Sequence, residues 1–241
     1  MDILLLRFDA PLMSFGTVMV DQHGPIDRFP GLSLLAGLFG NALGYRHGDG
    51  PALDALQSRI EYAARWDIEP QPLLDYHTVD LGQPKMAEPG WTTRGEPEYR
   101  TGGPSAIQGI HPRYRHYWAN GVLTLAVSLA GDHPPGAAAL AEALNHPARP
   151  LFLGRKTCLP GAPLLLGRTE DRDVLSALCR TPLARRFGRP PPTKVFACWP
   201  AELGERGGAR RVSVYDRRDW RNQIHAGRRQ RIEGWLECSA P

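Results

Sequence analysis

The run Val122–Leu129 carries the strongest strand pattern in the chain, and the other predicted elements are arranged around it. Its sequence, Val-Leu-Thr-Leu-Ala-Val-Ser-Leu, is mostly apolar and has the length of a single strand. A short apolar run of this kind is typical of a strand that is buried in a sheet. A chain with such a strand has to supply neighbouring strands and a layer that covers them.

Strand and helix patterns flank this run in a regular order. In chain order they are a buried strand at Ile3–Phe8, a helix that starts near Ser33 and continues to Leu43, strands at Ile60–Trp66 and Leu73–Val79, a helix from Pro134 to Asn145 and a strand at Leu164–Leu166. Counted as strand, helix, strand, insertion, strand (Val122–Leu129), helix, glycine-rich loop and strand, the order is βαββαβ, which is that of ferredoxin-like or split βαβ folds. We therefore predict an α+β fold with a ferredoxin-like core.

A long segment rich in Pro and Gly, residues 80–112, interrupts this order. Loops of this length without a regular pattern are usually functional or disordered. The next stretch, Tyr114-Arg-His-Tyr-Trp118, interleaves aromatic and cationic side chains, which suits base stacking and phosphate contact. It suits equally well the start of a strand that is anchored by its aromatic residues. We predict an inserted unit at about 80–118 within a domain of residues 1–167.

The charge of the chain differs between its two parts. Residues 1–148 contain ten Lys or Arg and sixteen Asp or Glu, a net charge of −6, whereas residues 149–241 contain nineteen and nine, a net charge of +10. The surplus of positive charge in residues 149–241 indicates a polyanionic partner for the C-terminal part. Strands are predicted near Val195–Trp199, Val212–Tyr215 and Ile232–Cys238, so residues 168–241 are predicted to form a small, basic, β-rich C-terminal lobe.

The sequence gives no support for membrane insertion, secretion or metal binding. No apolar run approaches the roughly 18 residues that cross a bilayer, and the N-terminus lacks the features of a signal peptide. Asp75, Asp80 and Glu88 do not form a convincing set of metal ligands. No Cys-x-x-Cys pair occurs among the four cysteines, Cys158, Cys179, Cys198 and Cys238. We predict a cytoplasmic protein with no membrane partner, no metal and no cofactor.

The loop that begins at Phe152 combines Gly154 with two adjacent cations, Arg155 and Lys156, and the hydroxyl of Thr157. Glycine lets a backbone come close to a ligand, and backbone N–H groups together with cations suit a phosphate. The same pattern also fits a tight surface turn with solvated cations. Both interpretations stay open on the local pattern alone.

Three blocks of sequence, taken in this order and spacing, resemble one known family. They are Arg28-Phe-Pro-Gly-Leu-Ser-Leu-Leu-Ala-Gly-Leu-Phe-Gly-Asn-Ala-Leu-Gly44, Asp75-Tyr-His-Thr-Val79, and Phe152-Leu-Gly-Arg-Lys-Thr-Cys158 with the following Leu164-Leu-Leu-Gly167. The family is that of the RAMP-type CRISPR-associated subunit of type I-E Cascade, the CasD family. The resemblance covers most of residues 1–167 and is weak beyond Thr181.

This resemblance implies a modified RRM or ferredoxin-like core with a protruding thumb, which we place in the inserted residues at about 80–118. It implies a subunit of an antiviral surveillance complex that grips the repeat-derived 5′ handle of the crRNA and caps the backbone filament. The implied partners are the repeated backbone subunit, the large subunit that detects the PAM and the other Cascade subunits. Target DNA would be contacted indirectly, and a separate protein would cut the precursor RNA.

Three groups of residues are predicted to bind this RNA. They are Arg28 and Ser33 at the start of the first helix, Tyr76, His77 and Thr78 on a strand, and Gly154, Arg155, Lys156 and Thr157 in the loop. Ser33 would cap the helix, and the N–H groups at the helix N-terminus would receive a phosphate. Tyr76 or His77 would stack on a base or hydrogen-bond to it. Possible thumb contacts are Arg100, Arg113, Tyr114, Arg115 and His116.

Two other functions remain open at this point. A relative of the same fold, the type I-C subunit, cleaves RNA without metal by means of Tyr, Lys and His residues, and imidazole groups can exchange protons near neutral pH. The residues available here for such a metal-independent endoribonuclease are His77, His111, His116, Tyr76, Tyr114 and Lys156. The other alternative is a scaffold whose charges serve solubility alone. We predict a non-catalytic RNA-binding and assembly subunit.

Overall fold

The computed structural model describes residues 1–19, 22–80, 90–91, 97–98, 110–186, 188, 190 and 192–237. The α-helices in these residues are α1 (Leu32–Leu43), α2 (Gly50–Arg59), α3 (Ala137–Asn145) and α4 (Val174–Arg180). The strands are β1 (Asp2–Asp9), β2 (Leu12–Met13), β3 (His23–Gly24), β4 (Ile60–Ile68), β5 (Gln71–Asp80), β6 (Gly90–Trp91), β7 (Pro97–Glu98), β8 (Ile110–Ala119), β9 (Val122–Leu129), β10 (Leu165–Glu170), β11 (Lys194–Pro200), β12 (Arg210–Val214), β13 (Arg218–Asp219), β14 (Ile224–His225) and β15 (Arg229–Glu237). A short 3-10 helix spans Ala201–Leu203.

Seven of these strands form one antiparallel sheet in the order β10-β1-β9-β4-β11-β15-β12. The interior strand β9, which lies between β1 and β4, is the predicted strand Val122–Leu129, and every residue in it except Leu129 is buried. The strands predicted at Ile3–Phe8 and Ile60–Trp66 are also confirmed, as β1 and β4. The fold is a mixed α/β arrangement, with this large antiparallel sheet and four helices among the described residues.

Apolar side chains cover both faces of the large sheet. On one face Leu4 and Phe8 of β1 belong to a core that includes residues of α1, α2 and α3. On the other face Ile3 packs in a second core with Val174 and Leu178 of α4. Because successive residues of a strand point to opposite faces, a strand between two layers is apolar on both sides. This burial explains the continuous apolar run of β1.

A long ribbon made of β5 and β8 dominates a second sheet, in which β8 also pairs with β2 and β3. The two strands pair in antiparallel register from Gln71, opposite Ala119, to Asp80, opposite Ile110. Residues 110–118 of the predicted inserted unit therefore belong to a strand, and Tyr114–Trp118 lies in the second half of that strand rather than at its start. Most of the unit, residues 81–89, 92–96 and 99–109, lies outside the described part of the chain.

The C-terminal strands continue the large sheet. The predicted strands in this part are present as β11, β12 and β15, except that Cys238 lies outside the described residues. β11 pairs with β4, where Cys198 lies opposite Ala64 and Ala197 opposite Arg65. Hydrogen bonds therefore join these strands to the sheet of the N-terminal part. The division into domains at residue 167 stays a prediction.

Helix α1 begins at Leu32, and its N-cap residue is Gly31 rather than Ser33. The N–H group of Leu32 donates to the carboxylate of Asp216 at 3.2 Å, and that of Ser33 donates to the main-chain carbonyl of Asp216 at 2.9 Å. The prediction that Ser33 caps this helix is therefore wrong. The acceptor for the N–H group of Leu32 is instead the carboxylate of Asp216, which lies 184 residues further along the chain.

Two arginines of β15 extend this connection. Arg229 donates to the carboxylate of Asp216 at 2.6 Å. Arg231 is 2% exposed and donates from Nη2 to the carboxylates of Asp27 and Glu233, at 2.6 Å in each case. Since carboxylates face both guanidinium groups, their buried charges are compensated. The start of α1 is thereby fixed against the C-terminal part of the sheet.

Replacing Asp216 by Ala is expected to lower the free energy of unfolding by about 3 kcal/mol, because it removes the partner of a buried arginine and the cap of α1. Urea denaturation followed by circular dichroism measures the change. The matched control is Glu205→Ala, which breaks an exposed pair with Arg211 and is expected to cost less than about 1 kcal/mol. Equal losses in the two variants would contradict the structural role of Asp216.

Candidate nucleic-acid interface

The glycine-rich loop 152–158 is a closed turn that packs against the protein's own backbone. The N–H of Cys158 donates to the carbonyl of Arg155 at 2.8 Å. Gly154 has a φ of +110°, and a Cβ atom there would lie 1.8 Å from the carbonyl oxygen of Ser14. Glycine is required here by its backbone conformation and by this close approach. The sequence therefore predicts correctly that the backbone at this position comes close to another group. That group is the carbonyl of Ser14 rather than a ligand.

Arg155 anchors this loop to the second sheet. Its Nη1 donates to the carbonyl of His116 at 2.7 Å, and its Nη2 donates to the carbonyl of Gly24 at 3.1 Å. The guanidinium carbon also lies 4.8 Å from the centre of the Tyr117 ring, within the range of a cation–π contact. Two carbonyls and one aromatic ring thus hold the side chain that the sequence assigned to phosphate binding.

Basic side chains converge where this loop meets β3 and β8. They line a depression of about 630 Å³, which we call the basic depression. Its cations are Arg113 and Arg115 of β8 with Arg155 and Lys156 of the loop, and Thr157 adds a hydroxyl. Among the described residues that line it, none carries a carboxylate. Clustered cations attract a polyanion, and they bind phosphate oxygens directly.

An exposed aromatic cluster lies on one face of β8. The rings of His23 and Tyr114 stack at 4.7 Å with an angle of 9°, and the ring of Tyr76 lies 5.1 Å from that of Tyr114. Tyr76 is 56% exposed, and Thr78 is exposed two residues further along β5. The ring of His116 lies 6.4 Å from that of His23. Exposed rings of this kind offer surfaces on which bases stack.

His23 belongs to this cluster although no local sequence pattern marks it. It lies opposite Tyr114 because β3 pairs in parallel with β8, which is far away in the chain. Such a pairing depends on the tertiary structure and leaves no periodic signal around residue 23. An imidazole next to an alternating aromatic and basic strand is therefore found from the structure alone.

His77 lies on the opposite face of the ribbon from the aromatic cluster. It is opposite Arg113 in the register of β5 and β8, whereas Tyr76 is opposite Tyr114, and neighbouring strand residues point to opposite faces. Its Nε2 is 2.5 Å from the carboxylate of Asp75, so it is paired within its own strand. The structure thus separates His77 from the tyrosines that a nuclease would combine with it.

Arg28 also has partners within the protein. Its guanidinium carbon lies 4.7 Å from the centre of the Phe196 ring, and its side chain pairs with Glu69. Burial lowers the pKa of Arg28, and the charge of Glu233 opposes that shift. Arg28 is not one of the residues that line the basic depression. The structure therefore places it apart from the loop with which the sequence grouped it.

The start of α1, where the sequence predicted a phosphate site, contacts an acidic residue of the protein itself. The N–H groups of Leu32 and Ser33 already donate to Asp216, so the protein's own acidic residue uses two of the donors that the prediction assigned to a phosphate. The side chain of Ser33 is partly exposed. Together with Gly154 and Lys156 it lines a separate depression of about 430 Å³ next to the loop.

Some predicted features fall outside the described residues or are not found in them. Arg100 and the side chain of His111 lie outside the described part of the chain. Within that part, no group of three or more His, Cys, Asp or Glu residues could hold a metal ion. No helix in the described ranges is both long enough and apolar enough to cross a membrane.

Sequence comparisons relate this chain to CRISPR-associated proteins. A model of the family described as CRISPR-associated protein (Cas_Cas5) matches residues 3–232. The CRISPR system Cascade subunit CasD of Escherichia coli (strain K12) is 30% identical over 163 residues, which cover 64% of this chain and 66% of that protein. The match thus spans slightly less than two thirds of that relative's length.

Two solved structures have the same fold over nearly the whole chain. A chain of a CRISPR RNA-guided surveillance complex matches with a TM-score of 0.69 and 26% identity, and the match covers 98% of this chain and 90% of that one. A crystal structure of a Cas protein matches with a TM-score of 0.64 and 22% identity over 98% and 95% of the two chains. With a family match that extends over residues 3–232, the chain belongs to the CRISPR-associated Cas5 protein family.

Proposed function

We propose that this chain is a subunit of a CRISPR Cascade surveillance complex that grips the repeat-derived 5′ handle of the crRNA and caps the backbone filament. The observation that carries the proposal is the basic depression, in which Arg113, Arg115, Lys156 and Thr157 converge. Membership of the Cas5 family and the similarity to a Cascade subunit support the assignment to such a complex.

The RNA backbone would lie in the basic depression, and its unstacked bases would lie on the aromatic cluster. Lys156 is an exposed point charge, while Arg113 and Arg115, which line the same depression, extend from the face of β8 opposite to that of Tyr114. Tyr76 and Tyr114 supply ring faces that accept any base. Phosphate contacts of this kind fix the register of the RNA and do not read its sequence.

The fold suits this assignment because the first part of the chain has the element order of a ferredoxin-like, modified RRM core. Strands β1, β4, β9 and β10 are adjacent in the large sheet, and α1 and α3 connect them in the order βαββαβ. Leu35 of α1 and Leu140 of α3 belong to the same core, so both helices cover one face of the sheet. We infer that this part is the ferredoxin-like core.

The partners proposed for this chain are the crRNA, the repeated backbone subunit, the large PAM-sensing subunit and the other Cascade subunits, with target DNA contacted indirectly. The structural similarity to a chain of an RNA-guided surveillance complex supports an assembled state. A cytoplasmic location goes with this proposal, since guide RNA and invading DNA meet there. The inserted residues at about 80–118 are proposed as the thumb that contacts neighbouring subunits.

Replacing Arg115 and Lys156 together by Ala is expected to weaken binding of handle RNA and to flatten its salt dependence. Each lost phosphate contact removes about 0.7 from the slope of log K against log[salt] for a single strand, so the double variant should lose about 1.4. Fluorescence anisotropy with a labelled handle RNA at several salt concentrations measures both quantities.

The matched control for this experiment is the pair Lys194→Ala and Arg211→Ala, which removes two exposed cations outside the basic depression. This control is expected to keep the affinity and most of the slope of the wild-type protein. If the control and the Arg115/Lys156 variant lose the same affinity and slope, RNA is attracted by overall charge and the basic depression is not its site.

Replacing Arg155 by Lys separates anchoring of the loop from phosphate binding. Lys keeps the charge, but it cannot reproduce the two hydrogen bonds from one planar group or the contact with Tyr117. The expected loss is about 1–3 kcal/mol in the free energy of unfolding, with weaker handle binding as in Arg155→Ala. If Arg155→Lys keeps the wild-type affinity while Arg155→Ala loses it, Arg155 acts through its charge alone.

We propose that the chain binds the handle without cutting RNA. The position of His77, paired with Asp75 on the face opposite the tyrosines, supports this proposal because, among the described candidate side chains, it leaves His116 as the imidazole on the tyrosine face. The purified chain is expected to leave precursor repeat RNA intact in EDTA, as judged by denaturing gel electrophoresis. Discrete cleavage that disappears in His116→Ala would establish the endoribonuclease alternative instead.

A further inference from the structure

The basic depression uses only a part of the positive charge in residues 149–241. It takes two cations from that part of the chain, Arg155 and Lys156. Residues 217–228 contain four arginines and one acid, Asp219, which gives this segment a net charge of +3. Strands β13 and β14 pair within it, and we call it the basic hairpin. None of its arginines lines the basic depression.

The basic hairpin is closed at its base by an ion pair and is fixed to α2. Asp216 and Arg229, which flank it directly, are joined by a hydrogen bond of 2.6 Å. Gln57 of α2 donates to the carbonyl of Arg218 at 2.9 Å and accepts from the N–H group of the same residue at 3.1 Å. A segment that is fixed before it binds a partner loses little conformational freedom on binding.

The acid of the basic hairpin acts within its turn. The carboxylate of Asp219 accepts hydrogen bonds from the N–H groups of Arg221 and Asn222, at 3.0 and 2.9 Å. It also accepts one from the side-chain amide of Asn222 at 2.7 Å. Asp219 thus shapes the turn, and its carboxylate is directed at backbone and amide groups rather than at guanidinium groups.

Three arginines of the basic hairpin extend into solvent. Arg217, Arg221 and Arg228 are exposed, and among the described residues their side chains form no hydrogen bond and no salt bridge. Arg221 lies in the turn between β13 and β14. Arg217 lies at the base, next to the chain that precedes Arg228, because its carbonyl accepts from the N–H group of Ala226 at 3.0 Å. Both ends of the hairpin therefore present guanidinium groups, which donate two parallel hydrogen bonds to a phosphate.

The side chains of the basic hairpin favour a nucleic acid whose bases are already stacked. Proteins that bind single strands combine cations with exposed rings on which bases stack. The hairpin contains one Phe, Tyr or Trp residue, Trp220, which is only 8% exposed. A duplex keeps its bases stacked and turns its phosphates outward, and its major groove admits a two-stranded β-ribbon. Phosphate contacts alone are enough to bind it.

We propose that the basic hairpin binds the phosphate backbone of double-stranded DNA, without regard to base sequence, while the basic depression holds RNA. Arg217, Arg221 and Arg228 each contact a phosphate. This inference rests on the proposed function, in which the guide RNA relates the chain to target DNA only indirectly, and it adds a direct contact with the duplex. It also gives a role to charge in the C-terminal part that the basic depression does not use.

The test uses the full chain, saturated with unlabelled handle RNA, and a short labelled DNA duplex of arbitrary sequence. Replacing Arg217, Arg221 and Arg228 together by Ala is expected to remove about 2.7 from the slope of log K against log[salt], at about 0.9 for each duplex phosphate contact. Over a roughly fourfold rise in salt, the affinity of this variant should fall about 40-fold less than that of the wild type. Replacing the same three residues by Lys keeps the charges and is expected to keep most of the slope.

The matched control replaces Arg185, Lys194 and Arg206 by Ala. These are also three exposed cations, and they lie outside both the basic hairpin and the basic depression. The control changes the net charge by the same amount and is expected to keep the duplex affinity and most of the slope. Equal losses in the control and in the hairpin variant would mean that overall charge attracts the duplex, which overturns the inference.

Three further results would overturn the basic hairpin as a DNA contact. One is that handle RNA displaces the duplex completely, since a single surface would then bind both. Another is that the hairpin variant keeps its duplex affinity and loses affinity for handle RNA, which would make the hairpin a contact for the guide. The third is that the variant loses only assembly with partner subunits, which would identify a protein-binding surface.

Failure of this inference is distinguishable from failure of the proposed function. If the Arg115/Lys156 variant loses handle binding and the hairpin variant binds the duplex as the wild type does, only the inference falls. If the wild-type chain binds handle RNA no better than the Arg115/Lys156 variant, the proposed function itself is wrong. The titration with labelled handle RNA tests the proposed function, and the titration with the labelled duplex tests the hairpin.

Discussion

The carboxylate of Asp216 connects parts of the chain on which both candidate sites depend. It accepts hydrogen bonds from the first turn of α1 and from Arg229 of β15, and the pair of Asp27 with Arg231 lies two residues further along the strand. Buried ion pairs often add little net stability compared with apolar contacts of the same size. Their effect here is positional, because they fix the segment before α1 against β15. That segment follows Gly24, which lines the basic depression, and Asp216 and Arg229 directly flank the basic hairpin.

The parts of the fold that the sequence predicts are those whose signal is local. β1 and β9 are buried on both faces, so each gives a mostly apolar run that is readable without its neighbours. The cap of α1 is different, since a serine in the right place suggests a cap while the true partner, Asp216, is 184 residues away. Tertiary ion pairs leave no periodic pattern. They are therefore the part of the fold that reasoning from one sequence misses.

The same distinction applies to the candidate site. Lys156, Arg113 and Arg115 are visible in the sequence as cations in a loop and beside aromatic residues, and the structure brings them together. Arg155 has the same local appearance as Lys156, yet carbonyls of the second sheet hold it. Gly154 shows most clearly what one sequence leaves undetermined, namely the group that lies next to a given residue. The sequence indicates a backbone that needs glycine, but the atom that requires it belongs to Ser14.

The two candidate sites differ in what accompanies their cations. The basic hairpin has exposed arginines and no exposed Phe, Tyr or Trp ring, which suits a duplex bound through its phosphates alone. In the basic depression, four cations, with no carboxylate among the described residues beside them, attract phosphates of any sequence, and that attraction weakens as salt screens it. The rings of Tyr76 and Tyr114 are close to these cations in the second sheet, so a phosphate held there fixes which base reaches the rings. The proposed grip on the 5′ handle of the crRNA would need both properties, affinity for the backbone and a fixed register along it.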